Sequence, residues 1–101
     1  MIRITETNEG RSAPTITCDQ CGKLIDEAKW GNCHWKTKDG NLTEDGKLYF
    51  THKQCCAAFE SADSSIMWHS TELTAFLRRL VHNLKADLSE DIGDRMLDQL
   101  P

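Results

Sequence analysis

Two short pairs of metal-ligating residues, separated by thirty residues, carry the chemistry of this chain. They are Cys18-Asp19-Gln20-Cys21, a C-x-x-C followed by Gly22, and His52-Lys53-Gln54-Cys55, an H-x-x-C. Two intervening residues let the backbone curl so that both sulfurs of the first pair reach one ion. The glycine behind it permits the tight conformation in which amide N–H groups point at sulfur. If a helix starts near His52, the i,i+3 spacing puts imidazole and thiolate on one face. A lone C-x-x-C would suit redox chemistry equally well. Together the two pairs fill a tetrahedral site with no open position, the structural type of zinc site. Soft sulfur ligands select zinc, copper(I) or iron over magnesium and calcium, and the histidine tilts the choice to one Zn2+. Three thiolates and a neutral imidazole around a divalent ion leave a net charge of about −1, which Lys23 and Lys53 are close enough in sequence to offset.

The other reactive side chains read more plainly. Cys56 is i+4 from His52 and competes with Cys55 for the ion, but neighbours on a helix point about 100° apart, so one ion takes one of them. Left out, Cys56 is a small buried hydrophobe. Cys33 and His34 are strand neighbours on opposite faces; Cys33 reads as packing and His34 as facing solvent. No third group is identifiable to orient them as a nucleophilic pair. Two of Trp30, Trp35 and Trp68 are expected in the core. His69 and His82, without partners at ligand spacing, belong on the surface, and Arg78-Arg79 marks a solvated helix face.

The elements that must position these groups are few. The chain has 101 residues, 39% hydrophobic and 28% charged, with a net charge of −4, which suits one small globular domain and argues against a broad phosphate-gripping surface. No run of about 18 apolar residues could span a membrane. Five cysteines are an odd number, and the opening Met1-Ile2-Arg3-Ile4-Thr5-Glu6 lacks the apolar stretch of a secretory signal. Reduced thiols and a cytoplasmic location are therefore expected. Small domains commonly need a staple. A structural zinc can supply about 10–16 kcal/mol of apparent binding energy, more than the net stability of most domains.

Residues 1–17 read as an arm, either disordered or, since Ile2 and Ile4 alternate with polar residues, forming a short edge strand. Residues 18–62 form the metal-bound unit. Asp39-Gly40 and Asp45-Gly46 tolerate the positive φ of tight turns and divide three strand candidates, around 30–37, 41–43 and 47–51. From Ser70, a good N-cap with Glu72 in the first turn, Leu73, Phe76, Leu77, Leu80, Val81 and Leu84 fall on one helix face to about residue 85. Ser89 opens a second helix to Leu100, with Ile92, Met96, Leu97 and Leu100 inward. The expected fold is α+β: a small zinc unit followed by a C-terminal helical hairpin, residues 63–101, packed on it.

Cys18-Asp19-Gln20-Cys21-Gly22-Lys23-Leu24-Ile25, then Gly46-Lys47-Leu48-Tyr49-Phe50-Thr51-His52-Lys53-Gln54-Cys55 and Phe59, resemble the treble-clef zinc domains of the TRASH, MYM and YHS group over about residues 18–60. That resemblance implies a zinc knuckle, a β-hairpin and a helix whose first turn carries the last ligands. Cys18, Cys21 and Cys55 match its ligand positions, and Cys55 stands four residues before Phe59 as the pattern requires. The departure is Thr51, where the group usually has cysteine; His52 is the replacement. LIM-type fingers share both pairs but use a shorter gap and further cysteines absent here.

Three functions follow as expectations. The first is a structural-zinc protein acting as an interaction or regulatory module, through helix 70–85 and an acidic tail, with a protein partner or a second copy. The tail, residues 85–101, has two basic and five acidic residues. The second, implied by the TRASH resemblance, is metal sensing or trafficking, with Cys33 and Cys56 as spare thiols. The third is a nucleic-acid-binding finger, which five lysines against six acidic residues over 18–52 disfavour. An enzyme is not expected, because a closed four-ligand site leaves no position for water or substrate.

Overall fold

The computed structural model describes residues 1–6, 9–39, 41–43, 46–63 and 65–87. It is α+β, with six strands and two α-helices among the described residues. Two strands form a separate hairpin: β1 (Ile2–Glu6) pairs antiparallel with β2 (Ser12–Ile16), Ile2 opposite Ile16 and Glu6 opposite Ser12. The arm is thus a hairpin, and its cross-strand Thr5 and Thr15 hydroxyls bond at 2.8 Å.

The second sheet is built around β3 (Gly31–Lys38), in which Trp35 and Thr37 are of the aromatic and β-branched types that pleated surfaces favour. β4 (Asn41–Leu42) pairs with its end and β5 (Leu48–His52) with its beginning, placing Cys33 opposite Phe50 and Gly31 opposite His52. β6 (Met67–Glu72) pairs antiparallel along the other edge, with His34 opposite Ser70 and Thr37 opposite Met67. Because Thr37 pairs with both Leu42 and Met67, β4 and β5 lie end to end along one edge of β3 and β6 fills the other. The turn residues behave as their chemistry demands: Asp39 has φ 54° and Gly46 φ 53°.

Ser70 is not a helix cap. Met67 to Thr71 supply aromatic and β-branched residues to an open sheet edge, and ladder pairing there outweighs the local capping preference of one serine. α2 (Leu73–Leu84) begins at the end of β6, with Glu72 in the N-cap position. Its left-handed end at Lys85, φ 52°, lets the Ala86 N–H bond the Val81 carbonyl at 3.1 Å. The second expected helix, from Ser89, lies outside the described residues.

α1 (Cys56–Ser61), entered through the 3-10 turn Lys53–Cys55, and α2 cover different faces of the sheet. On one face Cys33, Phe50, Leu73, Ile25 and Cys18 form the buried core, with Phe76 and Leu77 of α2 against it. On the other, Phe59 of α1 packs on His34 and on Tyr49 and Trp68. Both faces of β3 are therefore closed, and Cys33 and His34 are each 0% exposed. The expectation that His34 faces solvent is overturned for that reason. Trp35 and Trp68 are half-buried and Trp30 is exposed, so none of the three tryptophans lies in the buried core, and Trp35 packs against it. No helix among the described residues is long and apolar enough to cross a membrane.

Candidate metal centre

The first ligand pair sits in a small knuckle. Thr17 bridges to Leu24, the Cys18 N–H donates to the Lys23 carbonyl at 2.8 Å, and the Gly22 N–H donates to the Cys18 carbonyl at 2.8 Å. This turn reverses the chain within six residues and needs a left-handed residue; Gly22, at φ 78°, supplies it. The second pair spans the end of β5 and the turn into α1, with His52 the last residue of the strand and Cys55 the last of the 3-10 turn.

The fold brings these two stretches together. One ligand atom from each of Cys18, Cys21, His52 and Cys55 lies within 4.8 Å of all the others, so the four could hold a metal ion. Around a tetrahedral ion with bonds of about 2.0–2.3 Å, ligand atoms stand about 3.3–3.8 Å apart, so only small side-chain adjustments separate this cluster from a coordination sphere. None of the cysteines is in a disulfide.

The imidazole is already oriented for ligation. A carbonyl can only accept, so the 3.0 Å contact between His52 Nε2 and the Leu24 oxygen makes Nε2 the protonated nitrogen. Nδ1 then carries the lone pair, and it lies 3.4 Å from Cys21 Sγ, inside the cluster. A second nitrogen tied to a backbone carbonyl is how ligating histidines are commonly fixed in tautomer and direction.

The thiols are unequal. Burial pushes Cys18 up, but the N–H groups of Cys21 and His52, each 3.4 Å from its sulfur, prevail and bring it down to about 6. Burial, reinforced by the neighbouring Cys18 and Cys21 sulfurs, pushes Cys55 up to about 11. One sulfur is thus ready as a thiolate, while further negative charge at Cys55 is resisted until a cation compensates it. Of the two lysines expected to offset the charge, Lys53 pairs its ammonium with Glu72 at 3.0 Å.

Two supporting groups have no counterpart in the spacing argument. Asp19, inside the C-x-x-C, clamps the knuckle to β5: its N–H donates to the Phe50 carbonyl at 2.7 Å, and its carboxylate accepts the Phe50 N–H at 2.8 Å. The Leu24 carbonyl is the other. An acidic residue between two thiolates is an electrostatically unfavourable choice, and that oddity was the available signal for Asp19. Cys56 stays out of this cluster, Cys33 is in the core on the α2 face, and His69 and His82 are exposed, as their spacing implied.

Comparisons of the chain with family models, with curated proteins and with solved structures find no match.

Proposed function

We propose that this is a small zinc-binding protein in which Cys18, Cys21, His52 and Cys55 hold one structural Zn2+, and that the platform so stapled serves as a protein-interaction or regulatory module. The observation that carries the reading is the convergence of four ligand atoms from a knuckle and a strand-to-helix turn, with His52 Nδ1 directed at them. Three sulfurs and one nitrogen are the donor set of a closed zinc site. The order of parts (knuckle, β-hairpin, then a helix beginning at the last ligand) supports a treble-clef-like unit and the TRASH-like resemblance of residues 18–60. Four protein ligands leave the ion no open position, so its role is to hold the fold. The module would meet a protein partner or a second copy through α2, where Leu80 and Leu84 of the apolar stripe are 38% and 69% exposed.

Elemental analysis of protein purified under reducing conditions tests the reading. One tightly held zinc per chain is expected, lost in Cys18→Ser and in Cys55→Ser with a marked fall in melting temperature. Protein that carries no metal and melts unchanged in EDTA would overturn it.

A second reading, metal sensing or trafficking, draws on the exposure of Cys21 at the edge of the cluster. It requires the ion to exchange readily with a chelator, whereas a structural ion is released slowly and its loss lowers stability sharply.

A further inference from the structure

On the opposite face of β3 a second group of ligating side chains converges. His34, Cys56 and Glu60 each place one ligand atom within 4.8 Å of the other two. Cys56 and Glu60 stand one turn apart on α1, with the Cys56 thiol 3.5 Å from Glu60 Oε2. His34 reaches them from the middle of β3, its Nδ1 3.8 Å from the same carboxylate oxygen.

The state of His34 turns this proximity into a site. The ring is fully buried, and Nε2 is bonded at 2.7 Å to the equally buried Thr51 hydroxyl. Nδ1 is buried with no hydrogen-bond partner among the described residues, since the carboxylate at 3.8 Å is beyond hydrogen-bond reach. An unpaired buried polar atom costs about 1–3 kcal/mol, and native structures keep few of them without a reason. Burial also holds the imidazole neutral, lowering its pKa against the raising influence of Glu60 and Asp19. The Thr51 hydroxyl can donate or accept; in the tautomer whose Nε2–H donates to it, Nδ1 is a bare lone pair facing a thiol and a carboxylate. That is the arrangement of a ligating histidine with its outer-shell partner in place.

We propose that His34 Nδ1, Cys56 Sγ and the Glu60 carboxylate form a second divalent metal site, distinct from the Cys18–Cys55 cluster. One nitrogen, one sulfur and one oxygen suit a borderline ion of the zinc type and disfavour magnesium and calcium. The charges balance: one thiolate and one carboxylate neutralise a divalent cation, so a neutral centre sits beside a buried ring. Three protein ligands leave one tetrahedral position for water or an exogenous ligand. Glu60, 29% exposed along its side chain, gives that position access to solvent. The second ion is therefore held more weakly than the first and exchanges without unfolding. This proposal does not depend on the first cluster being zinc-loaded, because no ligand is shared.

Cobalt(II) titration of metal-stripped, reduced protein tests it, with absorbance and equilibrium dialysis giving ions per chain. Wild type should bind two, the second released by a mild chelator while the far-UV spectrum is unchanged. Glu60→Gln and Cys56→Ser, each confirmed folded by that spectrum, should keep the tight ion and weaken the second by more than about 100-fold, beyond the loss typical of an outer-shell partner. Cys18→Ser should remove the tight ion, so that failure of the first centre and failure of this one give different patterns. In 15N spectra of zinc-titrated wild type, the His34 Nδ1 resonance should move only with the second equivalent. The proposal is overturned if wild type, Glu60→Gln and Cys56→Ser bind the same number of ions with the same affinities, or if the His34 resonance does not respond to metal.

Discussion

Asp19→Ala should weaken metal binding at the Cys18–Cys55 centre although Asp19 is no ligand. Its carboxylate accepts the N–H of Phe50, a residue buried in the core, and its own N–H donates to the same residue's carbonyl. These two bonds fix the knuckle carrying Cys18 and Cys21 in register with β5, which delivers His52 two residues later. Alanine keeps the backbone bond and removes the carboxylate, leaving the Phe50 N–H without its acceptor. A hydrogen bond to a charged group contributes about 1.5–3 kcal/mol. Converted at about 1.4 kcal/mol per decade, that is about 10- to 150-fold in affinity. The independent expectation for losing an outer-shell partner is about 10- to 100-fold, so the two estimates agree. The Asp19→Asn substitution retains an acceptor oxygen without the charge and should lose about half as much free energy. The 3.1 Å contact of the carboxylate with the Met1 amino group is exposed and adds little. Competition against a chromophoric chelator at fixed pH reads these affinities directly, with thermal melts of the loaded proteins as control. An Asp19→Ala protein that binds within about threefold of wild type would refute the clamp.

Cys33→Ser separates the core from the ligands: the side chain is fully buried, and burial pushes its thiol up to about 11. A serine hydroxyl without a partner there should cost about 1–3 kcal/mol in denaturant melts, with one tight ion retained; loss of that ion would contradict its placement. Gly31→Ala would set a Cβ 2.8 Å from Leu73 Cδ2 and 3.2 Å from Ile25 Cγ2, so overpacking of about 1–3 kcal/mol should lower the melting temperature, and an unchanged melt would contradict the packing of α2. For metal-stripped protein the signs of the pKa shifts set a profile. Cys18, at about 6 against an ordinary thiol value of 9.0, binds fewer protons folded than unfolded between those values, so stability rises with pH there. Cys55 and Cys33, pushed up to about 11, bind more protons folded than unfolded above 9.0, so stability then falls. Urea midpoints should peak near pH 9, and a monotonic profile would contradict the assignments.

The features legible in the sequence are local ones. The ligand pairs, the glycine of the knuckle and the Asp-Gly turns each depend on a few adjacent residues, and the structure puts Gly22, Asp39 and Gly46 at the positive φ values such turns require. Leu73, Phe76 and Leu77 face inward as their spacing implied. Where the reading fails, the cause is a distant partner. Ser70 has the chemistry of a cap, but residues 67–72 pair with an edge of β3 thirty or more residues earlier. His34 looks like a solvated strand residue until α1 and Trp68 close the face it occupies. Burial on both faces is a property of the sheet, and no window around residue 34 contains it.

Cys55 and Cys56 show how the two clusters are mechanically linked. Being adjacent at the start of a helix, their side chains diverge by about 100°, and the structure sends Cys55 to the knuckle on one side and Cys56 to His34 on the other. An ion bound by Cys55 therefore fixes the backbone that presents Cys56, while the sheet already holds His34 in place. Ordering this turn is a cost that whichever ion binds first must meet, and the second then binds to a prearranged partner. Filling the first centre should accordingly raise affinity at the second, and reciprocity requires the second to tighten the first by the same free energy. Couplings of this kind typically amount to about 5- to 150-fold. In Cys55→Ser, where the first ion is lost but His34, Cys56 and Glu60 are intact, affinity at the second site should fall by a factor in that range. Two isotherms that remain independent, with the second site unaffected by Cys55→Ser in folded protein, would show that α1 is positioned by its aromatic packing on Tyr49 and Trp68 alone.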